Sequence, residues 1–450
     1  MSTASPSQLI VNPGKSLSGS VGLPGDKSIS HRAALFAALA SGESLVENFL
    51  VSGVTQAMLG ALNDLGVEWN LEGTTLTVTG RSLRGSNAPA GPLDCGNSGT
   101  TLRILAGALA SAGIPATLTG SPGLRRRPMK RIVLPLQEMG VPIQASESGT
   151  APLVLSSRPI GQSLKSLVYT LPVASAQVKT CLLLAALAAD GPTTLHEPGP
   201  SRDHTERLLN AMGVPVVHRP IPSTDQAYET ILTPPSPLDL TSLHMTIPGD
   251  ISAAAFLIVA ALTTPGSQVT FPGVGLNPTR TGLLDALKQM GADLQIRDPR
   301  QLHGEPVGDL TVRYSHLQAT QVSGGLVVRM IDEFPAFAIA AAHAQGQTVV
   351  REAEELRHKE SDRISAMCSG LSALGVPTQE LQDGFIISGG VIPGGASVGP
   401  HGDHRLAMAL GVAGLASDKP VTVTDANIIT ESFPDFIPTL NSLGADTIVG

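Results

Sequence analysis

The motif Leu-x-x-(Leu/Met)-Gly-(Val/Ala) recurs six times along this chain. Its glycines are Gly66, Gly140, Gly213, Gly291, Gly375 and Gly444, at successive spacings of 74, 73, 78, 84 and 69 residues. Two apolar residues three apart form one stripe of a helix, and the glycine takes the left-handed position that ends it. The segments that follow (VEWNL, VPIQA, VPVVH, ADLQI, VPTQEL and ADTIV) read as strands entered by a short turn. A second, nearly all-apolar helix fits in each unit, opening at Ala33, Thr101, Val178, Ser252, Pro335 and His404. Five of these end on glycine, at Gly42, Gly113, Gly191, Gly266 and Gly346. Helices apolar all round belong inside a bundle. Six such units fill the 450 residues, so the chain folds by stacking like units, with little left for a separate module.

Composition agrees with small-residue α/β packing rather than disorder: 42% of residues are hydrophobic, 15% charged and 3% aromatic, with 48 glycines and 35 prolines. The longest apolar run, Ala253–Leu262, is too short to span a bilayer. The N-terminus has neither a secretory nor a transit pattern. Cys95, Cys181 and Cys368 are too few and too scattered for a disulfide framework or a zinc site. A cytoplasmic chain without membrane contact is the expectation. The net charge of −8 argues against a nucleic-acid partner.

The unusual residues gather where the six apolar helices begin: GDKSISHR (Gly25–Arg32), CGNSGTTLR (Cys95–Arg103), SAQVK (Ser175–Lys179), PGDIS (Pro248–Ser252), IDEFP (Ile331–Pro335) and HGDHR (His401–Arg405). A helix start presents unpaired N–H groups and the positive end of a dipole, so it favours anions. Ser, Asn and Asp there also serve as ordinary N-caps. Lys27, Arg32 and Arg405 oppose the dipole, a conflict that a bound anion would offset. The Gly96–Thr100 stretch lets a ligand approach the backbone. Three further polar segments stand out: LRRRPMKR (Leu124–Arg131), with five cations in eight residues, SRDHTER (Ser201–Arg207) and RHKESDR (Arg357–Arg363). A solvated helix face accounts for the last two as well as function does, whereas the first points to phosphate or carboxylate. No nucleotide-binding P-loop, Gly-x-Ser-x-Gly elbow or His-Glu-x-x-His helix is present.

In order, LPGDKSISHR, GNSGTTLRIL, RRRPM, ASAQVKT, SRDHTE, IDEFP, ELRHKESDR and GDHRLAM resemble the motifs of the 5-enolpyruvylshikimate-3-phosphate synthase family, from about Gly14 to the C-terminus. The resemblance implies an α/β fold of two domains, each an inside-out α/β barrel of three βαβαββ repeats, six in all. The N-terminal domain would span residues 22–246. The C-terminal domain would take residues 1–21 with 247–450, and an active site would lie in the cleft between them. The implied substrates are shikimate 3-phosphate and phosphoenolpyruvate, joined with release of phosphate, with no cofactor and no metal, in a monomer.

Carried over by position, the resemblance makes Asp332 the base toward the 5-hydroxyl, Glu360 the group exchanging a proton with the methylene carbon, and Lys27 a contact of both substrates. Ser28, Arg32, Ser175, Ala176, Gln177, Ser201, Asp332 and Lys359 match positions that hold shikimate 3-phosphate. Gly99, Arg127, Gln177, Arg363 and Arg405 match those that hold phosphoenolpyruvate. Two departures stand out. Glu431 precedes Ser432-Phe433-Pro434 where one branch of the family has a lysine, and Gly99 stands where glyphosate-tolerant members can carry alanine. The sister enzyme acting on UDP-N-acetylglucosamine typically has a cysteine in the loop aligned with Ser121–Arg127, and this chain has none there.

Overall fold

A computed structural model describes residues 8–82, 88–159, 161–222 and 227–450. The chain divides into two compact units. One comprises Gly25–Ile247 with the turn Gln301–Glu305. The other comprises the N-terminal segment up to Pro24, Pro248–Arg300 and Pro306–Gly450. Each has its own apolar core.

In the Gly25 unit, three four-stranded sheets share one plan. Their strand orders are His244–Thr246, Ser41–Glu47, Thr75–Arg81, Glu68–Glu72; then Leu93–Asp94, Ala116–Thr119, Leu153–Leu155, Ile143–Gln144; and Val168–Thr170, Thr193–Glu197, Tyr228–Leu232, Val216–Pro220. Each opens with a parallel pair and continues antiparallel. In the Pro248 unit the N-terminal segment supplies two strands. Ser18–Ser20 pairs parallel with Gln268–Gly275, and Leu9–Asn12 lies antiparallel between Val421–Val423 and Asp446–Val449.

All six motif glycines have positive φ, from 77° at Gly66 to 110° at Gly444. The residue after each glycine donates to the carbonyl five residues back: Val67 to Leu62, Val141 to Leu136, Val214 to Leu209, Ala292 to Leu287, Val376 to Leu371 and Ala445 to Leu440, at 2.8–3.1 Å. This is a Schellman turn, in which the leucine and the Val/Ala also form the closing apolar contact. The repeated motif is therefore the signature of one helix exit, used six times.

The apolar helices are Lys27–Leu39, Gly99–Ala112, Ala176–Ala186, Ile251–Thr263, Phe334–His343 and His404–Leu415. Three begin two to six residues before the expected Ala33, Thr101 and Val178, because Asp26, Ser98 and Ser175 accept from first-turn N–H groups and fix the cap there. Their exits also differ from expectation. Only Gly113 is a left-handed cap, whereas the Lys27 helix stops at Ala40 in extended backbone and Gly42 already lies in a strand. Within the Gly25 unit the Gly99 and Ala176 helices touch backbone to backbone, since a Cβ at Gly107 would fall 2.1 Å from the Cys181 carbonyl oxygen. Among the described residues no helix is long and apolar enough to cross a membrane.

Candidate active site

Two clusters of polar residues stand at helix starts, one in each unit. In the Gly25 unit, Asp26 caps the Lys27 helix (2.9 Å to Ile29 N) and Ser98 caps the Gly99 helix (3.0 Å to Thr101 N). His31 ties these two ends together. Its Nδ1 lies 2.7 Å from Lys27 O, so Nδ1–H donates, and its Nε2 lies 3.1 Å from Ser98 Oγ. Ser98 Oγ already accepts from the Thr101 N–H and hydroxyl, so its own proton is directed to the ring.

Arg32 is buried at 2% exposure. It donates to Thr205 Oγ1 (2.9 Å), Thr180 Oγ1 (2.7 Å), Ser28 O (3.0 Å) and Ala176 O (3.4 Å). It thereby gathers the backbone of Ser28 and Ala176, two of the expected binding positions. Arg202, which the sequence reading did not single out, donates to Ser28 Oγ at 2.9 Å. Its signal was its place beside Ser201. Gln177 accepts from Arg103 Nη1 and donates to Thr100 Oγ1 at 2.9 Å. A Cβ at Gly99 would stand 3.1 Å from Arg127 Nη1 and 3.2 Å from Arg103 Nη1, so two guanidinium groups close on this helix start. The run Leu124–Arg131 splits: Arg125, Arg126 and Lys130 are exposed, while Arg127 is half-buried. Ser201 donates to Glu197. Lys27, Ser175 and Ala176 are also half-buried at these helix ends.

In the Pro248 unit the centre is Arg363, 1% exposed. Its Nε meets Asp403 Oδ2 at 2.7 Å, Nη2 meets Glu360 Oε2 at 2.8 Å, and Nη1 meets Asp332 Oδ1 at 3.5 Å, where Lys359 Nζ also stands at 4.0 Å. Four expected residues thus come together: Asp332, Lys359, Glu360 and Arg363. Asp403 was not expected. It also caps the next helix, accepting from Arg405 N at 2.9 Å. Burial pushes the Asp403 carboxyl up, but Arg363 outweighs burial and holds it below the usual range. Burial likewise opposes the Arg363 charge, yet Asp403, Glu360 and Asp332 raise it above the arginine norm.

Arg405 is buried at 4% exposure in the first turn of the His404 helix. Glu431 Oε2 lies 3.8 Å from His404 Nδ1. The rest of the Arg357–Arg363 run is structural: Arg357 is spent on Asp362, Glu380 and two backbone carbonyls. Beside Asp332, Glu333 turns inward to accept from Ser252, which in turn accepts from Arg280 Nη2 at 2.6 Å.

The family model for EPSP synthase (3-phosphoshikimate 1-carboxyvinyltransferase) matches residues 11–440. A 3-phosphoshikimate 1-carboxyvinyltransferase of Methylococcus capsulatus is 45% identical over 437 residues, 96% of this chain and 97% of the relative. One of Roseiflexus sp. is 47% identical over 430 residues, 95% and 96% of the two chains. The solved EPSP synthase of Acinetobacter baumannii superposes with a TM-score of 0.86 at 40% identity, covering 99% of this chain and 100% of that one. The enolpyruvyl transferase NikO of Streptomyces tendae, at 20% identity and a TM-score of 0.77, covers 99% of each chain and shares the fold. With a mixed α/β fold in two units and matches of this length, the chain belongs to the EPSP synthase (3-phosphoshikimate 1-carboxyvinyltransferase) family.

Proposed function

We propose that the two clusters serve one reaction. As a member of its family, the chain is an enzyme that transfers the enolpyruvyl group of phosphoenolpyruvate to shikimate 3-phosphate, in the shikimate pathway of aromatic amino acid synthesis. We read the fold as two inside-out barrels of three βαβαββ repeats, which the common plan of the sheets supports, and the working molecule as a monomer.

The 5-hydroxyl loses a proton to Asp332 as it attacks C2 of the enol, and the C3 methylene gains a proton from Glu360. The tetrahedral adduct then expels phosphate as a methyl proton returns to Glu360, and the departing phosphate takes up the proton that Asp332 releases, which restores both carboxyl groups. The observation that carries this reading is the pair of carboxylates, Asp332 and Glu360, held on different nitrogens of one buried guanidinium. That arrangement fixes two proton-handling groups relative to each other without exposing the cation. Lys27, Ser28, Arg32, Ser175, Ala176, Gln177, Ser201, Asp332 and Lys359 take shikimate 3-phosphate, and Arg32 also holds the Ser28 and Ala176 backbone in place. Lys27, Gly99, Arg127, Gln177, Arg363 and Arg405 take phosphoenolpyruvate, whose two anionic groups account for the density of cations.

The acceptor is shikimate 3-phosphate rather than a sugar nucleotide. No cysteine stands in the Ser121–Arg127 loop. The three thiols are buried, and burial pushes Cys95 up to about 12 and Cys368 up to about 11. The deciding experiment measures phosphate release with phosphoenolpyruvate and either shikimate 3-phosphate or UDP-N-acetylglucosamine. Release with the first alone, abolished by Asp332→Ala in a normally folded variant, is the expected outcome; release with the second would overturn the assignment.

A further inference from the structure

Behind Ser201 lies a closed ionic cluster that the reaction as described does not use. Lys179 is fully enclosed, and its Nζ stands 2.7 Å from Glu197 Oε1 and 2.7 Å from Glu206 Oε1, with both carboxylate side chains at most 3% exposed. His218 Nδ1 lies 3.7 Å from Glu206 and 2.8 Å from Thr230 Oγ1. Glu197, Glu206 and His218 bring ligand atoms within 4.8 Å of one another, a spacing that suits a metal. The ammonium of Lys179 stands against both carboxylates of that group. Burial opposes its charge, but Glu197 and Glu206 outweigh burial and hold it above the ordinary lysine range, so it is a fixed cation.

Lys179 lies in the second turn of the helix that begins Ala176-Gln177. Glu197 ends the strand Thr193–Glu197, and Glu206 lies in the first turn of the helix His204–Ala211. One ammonium therefore pins three elements, and the residues at their ends are Ser175, Ala176, Gln177 and Ser201. The link to Ser201 is direct, because its hydroxyl donates to the second oxygen of Glu197. That bond fixes where the Ser201 hydroxyl stands.

We propose that Glu197, locked by Lys179, is a positioning residue for shikimate 3-phosphate: it fixes the place of the Ser201 hydroxyl that meets that substrate. This rests on the assignment of Ser201 to that substrate. A carboxylate is the only side-chain group that both accepts from Ser201 and pairs with a buried ammonium, so an isosteric amide weakens both bonds at little change in volume.

The test is a double-mutant cycle on the full-length enzyme with Glu197→Gln, Ser201→Ala and the double variant, reading kcat, both KM values and the melting temperature. Glu197→Gln should raise KM for shikimate 3-phosphate by about tenfold while KM for phosphoenolpyruvate changes less than about twofold. Ser201→Ala should give a similar rise, and the double variant should be no worse than either single one, because both act through one hydroxyl. Glu197→Asp, which keeps the charge, should recover part of the loss. If Ser201→Ala leaves KM for shikimate 3-phosphate unchanged, the assignment of Ser201 itself is wrong. If Ser201→Ala raises it but Glu197→Gln does not, or if the two effects simply multiply, the positioning role is wrong and the assignment stands. Equal rises in both KM values alongside a lower melting temperature would reduce Glu197 to a structural group. Should Glu197→Gln fail to fold, Lys179→Arg, which keeps the cation but moves it, reads the same KM split.

Discussion

Mild acid should destabilise the Gly25 unit through His31. The ring is 1% exposed. Burial, helped by the charges of Lys27 and Arg32, lowers its pKa from 6.5 to about 4, against the pull of the Lys27 and Val54 carbonyls toward the cation. Above pH 6.5 the imidazole is neutral whether the chain is folded or not, and its contribution is fully present. As the pH falls below that, the unfolded chain takes up a proton and the folded chain does not. Stability then drops by about 1.4 kcal/mol per pH unit and levels off near the folded pKa. From about pH 7 to about pH 5 this single ring should remove about 2 kcal/mol.

Urea unfolding followed by the fluorescence of Trp69, the only tryptophan, reports on this unit because Trp69 lies in its strand Glu68–Glu72. The comparison is with His31→Gln, whose amide can still donate to Lys27 O but takes up no proton. The variant should be less stable at neutral pH, and the gap to the parent should shrink by about 2 kcal/mol on going to about pH 5. A gap that stays constant, or an imidazole resonance titrating at its ordinary value in the folded protein, would refute the reasoning. His343 in the other unit, brought to about 4 by burial, should respond with the same sign but leave the Trp69 signal unchanged.

Asp332→Asn and Glu360→Gln should each lower kcat by about 10²- to 10⁴-fold with little change in melting temperature, checked by steady-state phosphate release. Gly99→Ala crowds the far ends of Arg103 and Arg127 and makes ordinary contact with Leu124, so the fold should survive while KM for phosphoenolpyruvate rises about three- to tenfold. Glyphosate should compete with phosphoenolpyruvate in the parent and more weakly in that variant; inhibition constants no lower than millimolar in the parent would contradict this. Asp403→Asn strips Arg363 of its shortest ion pair inside the protein and should cost about 3 kcal/mol or more of stability, seen as a lower urea midpoint.

The helix exits are legible in the sequence because a Schellman turn is written in six consecutive residues, and the chain uses it six times. Helix starts are less so. Lys27 and Arg32 look like residues placed before a helix, since cations there oppose the dipole, yet Asp26 caps ahead of them and draws them into the first two turns. Asp332, Glu360 and Arg363 could be named because they stand in recognisable strings. Arg363 with Asp403, 40 residues apart, and Arg202 with Ser28, 174 apart, could not, because only tertiary packing brings such pairs together. Lys179 was hidden for a different reason: a lysine in an apolar helix reads as an exposed position, and its two buried acids lie on other elements.

Cations at helix starts suggest a missing anion, but in the Pro248 unit carboxylates of the chain already fill that place. Asp332, Glu360 and Asp403 surround Arg363, with Lys359 alongside, so these five groups carry three negative and two positive charges. Under the proposed assignment, phosphoenolpyruvate at Arg363 would add further negative charge beside these three carboxylates. The cheapest relief is for the site to gain a proton, and Glu360, half-exposed next to the proposed methylene position, is the group able to carry one. Formation of the ternary complex should therefore take up a fraction of a proton near neutral pH. Titration calorimetry in buffers of different ionisation enthalpy measures that fraction directly, and Glu360→Gln should abolish it. Binding enthalpies independent of the buffer would refute this reasoning and leave Glu360 to acquire its proton only during the chemical step.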